Sequence, residues 1–262
     1  MDARNERLKP PQPSATMEAS KRIVLITGLE CAKLLSKISS QYHILLGCRS
    51  LEKGEKALDE LLAGNPLGTI NLIQLDVTSA ASIQSAVQYI TENHGRLDVL
   101  VSNAGITSTA KPIINQLHET FDTNTFGPAV LTEAMTHLRQ KSRESRMIFV
   151  SSELGSFGRR TDRKYMYDAI DAMAYHMSKA ALNMLAMCFA KSSESWETPA
   201  KTWCYDPGFC VIDLMGPQDR KNREKLGARS SEPGAQGLIP IIEGQRDLDA
   251  GKLVDDSSTL LW

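Results

Sequence analysis

Along almost its whole length the chain alternates short, continuously apolar runs with stretches of helical spacing, and this alternation restricts its fold more than any other feature. Residues 22–27, Arg-Ile-Val-Leu-Ile-Thr, read as a buried strand. Residues 29–39 follow with apolar side chains at Leu29, Ala32, Leu35 and Ile38, the spacing of one helix face. Further strands are expected at residues 43–47, 70–75, 98–101, 147–150, 202–205 and 252–254. Helices are expected between them at residues 51–62, 79–93, 116–139, 175–190 and 232–243. Strands without polar alternation need cover on both faces, and crossover helices between parallel strands supply it.

Right-handed crossovers then lead to an α/β fold, a doubly wound, Rossmann-like parallel sheet. Neither an internal repeat nor a linker interrupts residues 21–262, so one domain is expected there. Met1 to Ser20 is polar, carries Pro10, Pro11 and Pro13, and lacks the apolar core of a secretory signal; it reads as a disordered tail. The net charge of −1, from 30 basic and 31 acidic residues, offers no footprint for nucleic acid or an anionic membrane. No apolar run approaches the ~20 residues that span a bilayer. The five cysteines have neither a CxxC nor metal-ligand spacing, and a reducing, cytoplasmic location is expected. Cys31, Cys48 and Cys188 lie among apolar residues and are expected to be packing residues.

Tyr175 and Lys179 stand four apart on a predicted helix, so they project from one face. An ammonium beside a phenol favours the phenolate, which suits a proton donor or acceptor near neutral pH. In a doubly wound sheet, ligands bind beyond the carboxyl ends of the strands. Those ends carry polar signatures here: Gly47-Cys48-Arg49-Ser50, Asp76-Val77, Ser102-Asn103-Ala104-Gly105-Ile106, Ser151-Ser152-Glu153-Leu154-Gly155 and Asp206-Pro207-Gly208-Phe209, with Asn124 in an intervening helix. In order and spacing these resemble the short-chain dehydrogenase/reductase family over residues 22–262, most closely its carbonyl-reductase-like members.

The resemblance implies an NADPH-dependent reductase of ketones or aldehydes. Tyr175 would protonate the substrate oxygen, Ser152 would hydrogen-bond it, Lys179 would lower the tyrosine's pKa and hold the nicotinamide ribose, and Asn124 would bend its helix and hold a water leading to Lys179. Asn103, Ala104 and Gly105 would floor the cofactor's ribose, while Asp76 and Val77 would meet the adenine. Pro207 and Gly208 would face the nicotinamide, with Cys210 in backbone contact with its amide. After the second strand, Arg49 and Ser50 stand where an NAD-specific chain would carry an acid. An arginine fork suits a 2′-phosphate, so NADP is the expected cofactor.

Two departures from the family pattern matter. Thr27-Gly28 runs straight into Leu29-Glu30-Cys31, where a glycine-rich TGxxxGxG loop about six residues longer would cradle the pyrophosphate on backbone N–H groups. Ile212 stands where a threonine would bond the carboxamide, and ionised Asp213 cannot replace that donor. An alternative therefore stands beside the reductase: a non-redox protein on the same fold, either a cofactor-independent catalyst or an inactive binding protein. Between Ser152 and Tyr175 lie 22 residues. This insertion is a candidate lid, with Tyr165, Met166, Tyr167 and Met173 as candidate substrate contacts and Arg159, Arg160, Arg163 and Lys164 as solvated charges. In the carbonyl-reductase-like members that the chain resembles, an insertion here covers the face used for dimerisation, which implies a monomer, with a homo-oligomer the alternative. Met177, Met184 and Met187 are expected in the core.

Overall fold

The alternation inside each strand explains why the runs are apolar throughout. In β1 (Arg22–Ile26), Ile23 and Leu25 enter one hydrophobic cluster while Val24 and Ile26 enter another. Successive side chains point to opposite faces, so both faces must be covered. The computed structural model describes residues 21–216 and 218–262; the tail expected at residues 1–20 lies outside the described residues. β1 joins β2 (Tyr42–Cys48), β3 (Thr69–Gln74), β4 (Val99–Ser102), β5 (Arg146–Val150), β6 (Lys201–Tyr205) and β7 (Leu253–Val254) in one sheet of order β3-β2-β1-β4-β5-β6-β7. Every pairing is parallel. The order reverses direction between β1 and β4, which is where a doubly wound sheet opens a crevice.

On one face, α1 (Leu29–Ile38) and α2 (Leu51–Ala63) pack through Cys31, Ala32, Leu35 and Leu61 against Val24, Ile44 and Val99. On the other, α3 (Ala80–Asn93) brings Ile83, Val87 and Ile90 against Ile23, Leu25 and Leu100. Full burial of each such aliphatic side chain contributes about 1.5–3 kcal/mol.

The single long helix expected over residues 116–139 is instead divided into α4 (Ile113–Phe121), a π-turn (Asp122–Phe126), α5 (Gly127–Ala134) and α6 (Thr136–Arg139). Pro128 is the physical reason: it has no N–H to return to the Asn124 carbonyl, so the ladder widens there. Next come α7 (Phe157–Thr161) and the long α8 (Met173–Ser193), then α9 (Asp219–Lys225). The helix expected over residues 232–243 is split at Gly237 into α10 (Ser231–Gln236) and α11 (Leu238–Ile242). Gly237 lies so close to Tyr205 that an added Cβ would sit 2.1 Å from its hydroxyl. Among the described residues no helix is long and apolar enough to cross a membrane.

Two of three methionines correct the expected core. Met177 and Met184 lie on the exposed side of α8, and only Met187 packs inward. Cys188 is also exposed, while Cys31, Cys204 and Cys210 are buried.

Candidate active site

At the carboxyl end of the sheet, α8 brings Tyr175 and Lys179 beneath the ends of β5 and β6. Both side chains are buried. The Lys179 ammonium donates to the Val150 carbonyl at 2.8 Å and lies 5.6 Å from the centroid of the Tyr175 ring. Ser152 is the serine placed to act on the Tyr175 hydroxyl, and its influence lowers the phenol's pKa. Ser152 opens a short 3-10 turn, Glu153–Gly155, and accepts from Leu154 N at 3.2 Å. Its neighbour Ser151 is committed elsewhere, donating to Asn183 Oδ1 at 2.5 Å. The strand end thus divides the two serines, with only Ser152 facing the phenol.

Gly155 makes this approach feasible. A Cβ there would lie 2.6 Å from the Lys179 carbonyl carbon. Gly155→Ala is expected to cost about 1–3 kcal/mol through backbone overpacking. Urea unfolding would register that cost, and the Ser152–Tyr175 contact would be lost with it.

The π-turn aims the Asn124 amide inward. Its Oδ1 accepts from Ile106 N at 2.8 Å, and its Nδ2 donates to Ile106 O at 2.9 Å and to Ser178 Oγ at 3.0 Å. Gly105 sits between Asn124 and Lys179, with its missing Cβ only 3.4 Å from Asn124 Oδ1 and 3.5 Å from Lys179 Nζ. Asn124, Ser152, Tyr175 and Lys179 are therefore brought into one cluster.

The expected influence of Lys179 on Tyr175 is corrected by the geometry. Burial pushes the phenol well above its ordinary pKa, and the Asp206 carboxylate pushes it further; Arg223 and the Ser152 hydrogen bond act the other way. Burial lowers Lys179 to about 8, against an opposing pull from Asp206. The ammonium points at the Val150 carbonyl rather than the phenol oxygen.

Beside this cluster, at the switch point, lies a cavity of about 360 Å³. Gly28, Arg49, Asp76, Val77, Ala104 and Gly105 line it, as expected of residues at these strand ends. Lys53 lines it too and was not anticipated; it stands four residues after Arg49, one helical turn along. Ser50 does not line it, because its hydroxyl caps α2 by accepting from Lys53 N. Asn103 is held away by Thr27. It donates through Nδ2 to Thr27 O at 3.0 Å, and the Thr27 hydroxyl accepts from Asn103 N and Ala104 N. Asp76 accepts from Thr78 N and Oγ1 through one carboxylate oxygen.

Residues 23–222 match the family model described as short chain dehydrogenase. The chain belongs to the short-chain dehydrogenase family. Its relatives include the short-chain dehydrogenase anuI of Penicillium roqueforti, 32% identical over 92% of this chain and 97% of that one. The short-chain dehydrogenase/reductase tropE of Talaromyces stipitatus is 29% identical over 90% and 96%. Among solved structures, NADPH-bound carbonyl reductase from chicken fatty liver superposes with a TM-score of 0.74 at 25% identity, covering 92% of this chain and 99% of that one.

In this short-chain dehydrogenase the connection from β1 to α1 is only Thr27 and Gly28. Gly28 caps α1 without a side-chain bond, and a Cβ on it would meet Asn103 Nδ2 at 2.6 Å. The strand thus turns directly into the helix, with Leu29 at the cavity edge.

On the far side, Gly208 adopts φ +75°, with the Arg229 guanidinium packed over it. The Pro207 carbonyl accepts from Arg229 Nη2 at 2.7 Å and from the buried Cys210 thiol at 3.1 Å. The Cys210 carbonyl accepts from Arg223 Nη1 at 3.2 Å. Asp213 is exposed and pairs with Arg220.

The insertion folds as α7 and the turns after it, and its charges are not all solvated. Arg159 pairs with Glu153 at 2.8 Å and stacks over Tyr165, whose hydroxyl donates to Glu153 at 3.0 Å. Arg160 and Arg163 both meet Asp168. Tyr167 reaches Phe209 across the site with ring centroids 6.1 Å apart. Met166 and Met173 are exposed.

Proposed function

We propose that this chain is an NADPH-dependent reductase of small ketones or aldehydes. The observation that carries the reading is the buried Tyr175 beside the Lys179 ammonium, next to a crevice lined by Arg49 and Lys53. The adenosine half of the nucleotide fits the residues present. Gly28 and Gly105 line the crevice with backbone alone, Val77 offers an apolar wall, and Asp76 keeps a carboxylate oxygen for an amine. Arg49 and Lys53 suit a 2′-phosphate, which a fork and a point charge both stabilise. Bound nicotinamide would supply the hydride. Tyr175 gives its proton to the substrate oxygen, and Ser152 hydrogen-bonds that oxygen as charge develops on it. Lys179 sets a positive charge under the phenol ring. Asn124 fixes the loop carrying Gly105 and Ile106 through two hydrogen bonds to Ile106 and ties it to α8 through a third, to Ser178. On this reading the chain acts in the cytoplasm on a small carbonyl compound, and the insertion is what favours a monomer.

Titration with NADPH and NADH, followed by nicotinamide fluorescence and thermal shift, tests the reading. NADPH binding with stabilisation is expected. Arg49→Glu is expected to weaken NADPH relative to NADH by about 10–150-fold, the loss of one or two charge-assisted bonds. Failure of both nucleotides to bind a folded sample would favour the second reading, a non-redox protein on this fold. The two-residue turn at Thr27-Gly28 is what favours that reading.

A further inference from the structure

His176 follows Tyr175 on α8, and its ring makes two contacts that the proton transfer leaves unused. Nδ1 lies 2.6 Å from the Leu154 carbonyl oxygen, and Nε2 lies 3.2 Å from the Ile170 carbonyl oxygen. A carbonyl oxygen only accepts. A neutral imidazole donates from one nitrogen and turns a lone pair out from the other, so it satisfies one of these contacts and opposes the second. The imidazolium donates from both. Two acceptors on opposite sides of the ring therefore favour its charged form.

The two oxygens belong to two segments that shape the site. Leu154 lies in the 3-10 turn that Ser152 opens, and the N–H of the same residue donates to Ser152 Oγ at 3.2 Å. Ile170 lies near the end of the insertion and donates its N–H to the Tyr167 carbonyl at 3.0 Å, while the Tyr167 ring meets Phe209. His176 thus joins the turn of the serine to the insertion, from the helix that carries Tyr175.

The charges around the ring already have partners. Glu153 on the serine turn and Arg159, Arg160 and Asp168 on the insertion enclose it, with the phenols of Tyr165 and Tyr167. Glu153 pairs with Arg159, and Asp168 with Arg160 and Arg163. Asp171, next to Ile170, is exposed. On α8 itself Lys179 points at the Val150 carbonyl. The segment after β6 brings Asp206, which accepts from Glu153 N, with Arg223 over Phe209 and Arg229 on Asp256; none of these three lines the space around the ring. The two carbonyl oxygens are thus the acceptors that the ring meets directly.

We propose that His176 is a positioning residue, a charged clasp that fixes the Ser152 turn and the insertion relative to each other. Its meaning for turnover rests on the reductase reading, but the clasp itself is measurable on protein without nucleotide. Imidazole is the side chain that ordinarily changes charge between about pH 5 and 8. Below that change both bonds are made. As pH rises through it the ring loses one N–H, one carbonyl faces a lone pair, and the clasp opens on that side. Carbonyl reduction then falls, because Ser152 is less firmly placed.

The test is NMR of uniformly nitrogen-15-labelled protein from pH 5 to 9, with the His176 ring signals assigned by their loss in His176→Gln. At pH 6 both ring nitrogens are expected to carry slowly exchanging protons. The backbone amides of residues 153–155 and 167–171 are expected to shift with the same midpoint as the ring, and to lose that response in His176→Gln. Glutamine keeps a donor and gains no charge. In turnover, His176→Gln is expected to lower kcat/KM by about 2–10-fold at pH 6, the worth of one hydrogen bond, and by much less at pH 9. A ring that is neutral at pH 6 in the folded protein would overturn the proposal, and so would amides that ignore the ring's titration. An equal loss of turnover at both pH values would also overturn it, marking a merely structural histidine. If His176→Gln does not fold, the ring is assigned through its own backbone in the natural protein, and the first two results decide. Absence of NADPH binding would end the reductase reading and leave the clasp standing.

Discussion

Tyr175→Phe is expected to lower carbonyl reduction by about 10²–10⁴-fold, the range supplied by a positioned general acid. The fold should hardly notice. The ring stays buried on α8 and keeps its place beside the Lys179 ammonium, so only the hydroxyl is lost. Any hydrogen bond that the hydroxyl makes contributes only about 0.5–1.5 kcal/mol to stability. The check is NADPH consumption with a panel of ketones and aldehydes, beside a thermal melt. A variant that melts normally and turns over at full rate would show that the proton comes from elsewhere. Ser152→Ala should follow the same pattern with a smaller loss, since it removes a donor to the developing charge and not the proton itself.

Lengthening the corner after β1 is expected to have the second large effect. Thr27 and Gly28 alone connect β1 to α1, and Leu29 and Glu30 occupy the first turn of the helix. A glycine-rich insertion between Gly28 and Leu29 would expose several backbone N–H groups at a helix start, where they attract a diphosphate. Two or three charge-assisted bonds amount to roughly 3–6 kcal/mol, or 10²–10⁴-fold in NADPH affinity. Calorimetric titration of the lengthened protein against the natural one would read the difference. An unchanged affinity would mean that the site fails for other reasons, Ile212 among them, and would favour the non-redox reading.

The strands and their parallel order were legible because each apolar run faces cover on both sides, as Ile23 and Val24 show by entering different clusters. The strand-end residues were legible too, since Arg49, Asp76, Val77 and Gly105 converge on one crevice. What failed to read out depends on partners distant in sequence. Nothing local marks Asn103 as bound to Thr27, or Ser50 as spent on capping a helix. Arg159 looked solvated because Glu153 and Tyr165, which hold it, are joined only by the fold of the insertion. Met177 and Met184 were misplaced because α8 is apolar around much of its circumference, and spacing alone does not choose the buried side. The break at Asn124 did have a local signal, Pro128 four residues on, whose missing N–H opens the π-turn. The environment of Tyr175 was not legible either. A Tyr-Lys pair suggests attraction, but burial and Asp206, distant in sequence, push the phenol's pKa up.

The short corner at Thr27-Gly28 also sets a residence time. Contacts missing from a bound state show up mainly as faster dissociation, with encounter rates little changed. Many nucleotide-dependent reductases wait on the departure of the spent nucleotide, because a closed loop must open first. Here the corner is a two-residue strand-to-helix turn held by Asn103, so at this corner there is no glycine-rich loop to open. On the reductase reading the spent nucleotide leaves quickly, and the chemical step becomes the slow one. Deuterium at the transferred position of the nucleotide would then slow steady-state turnover outright.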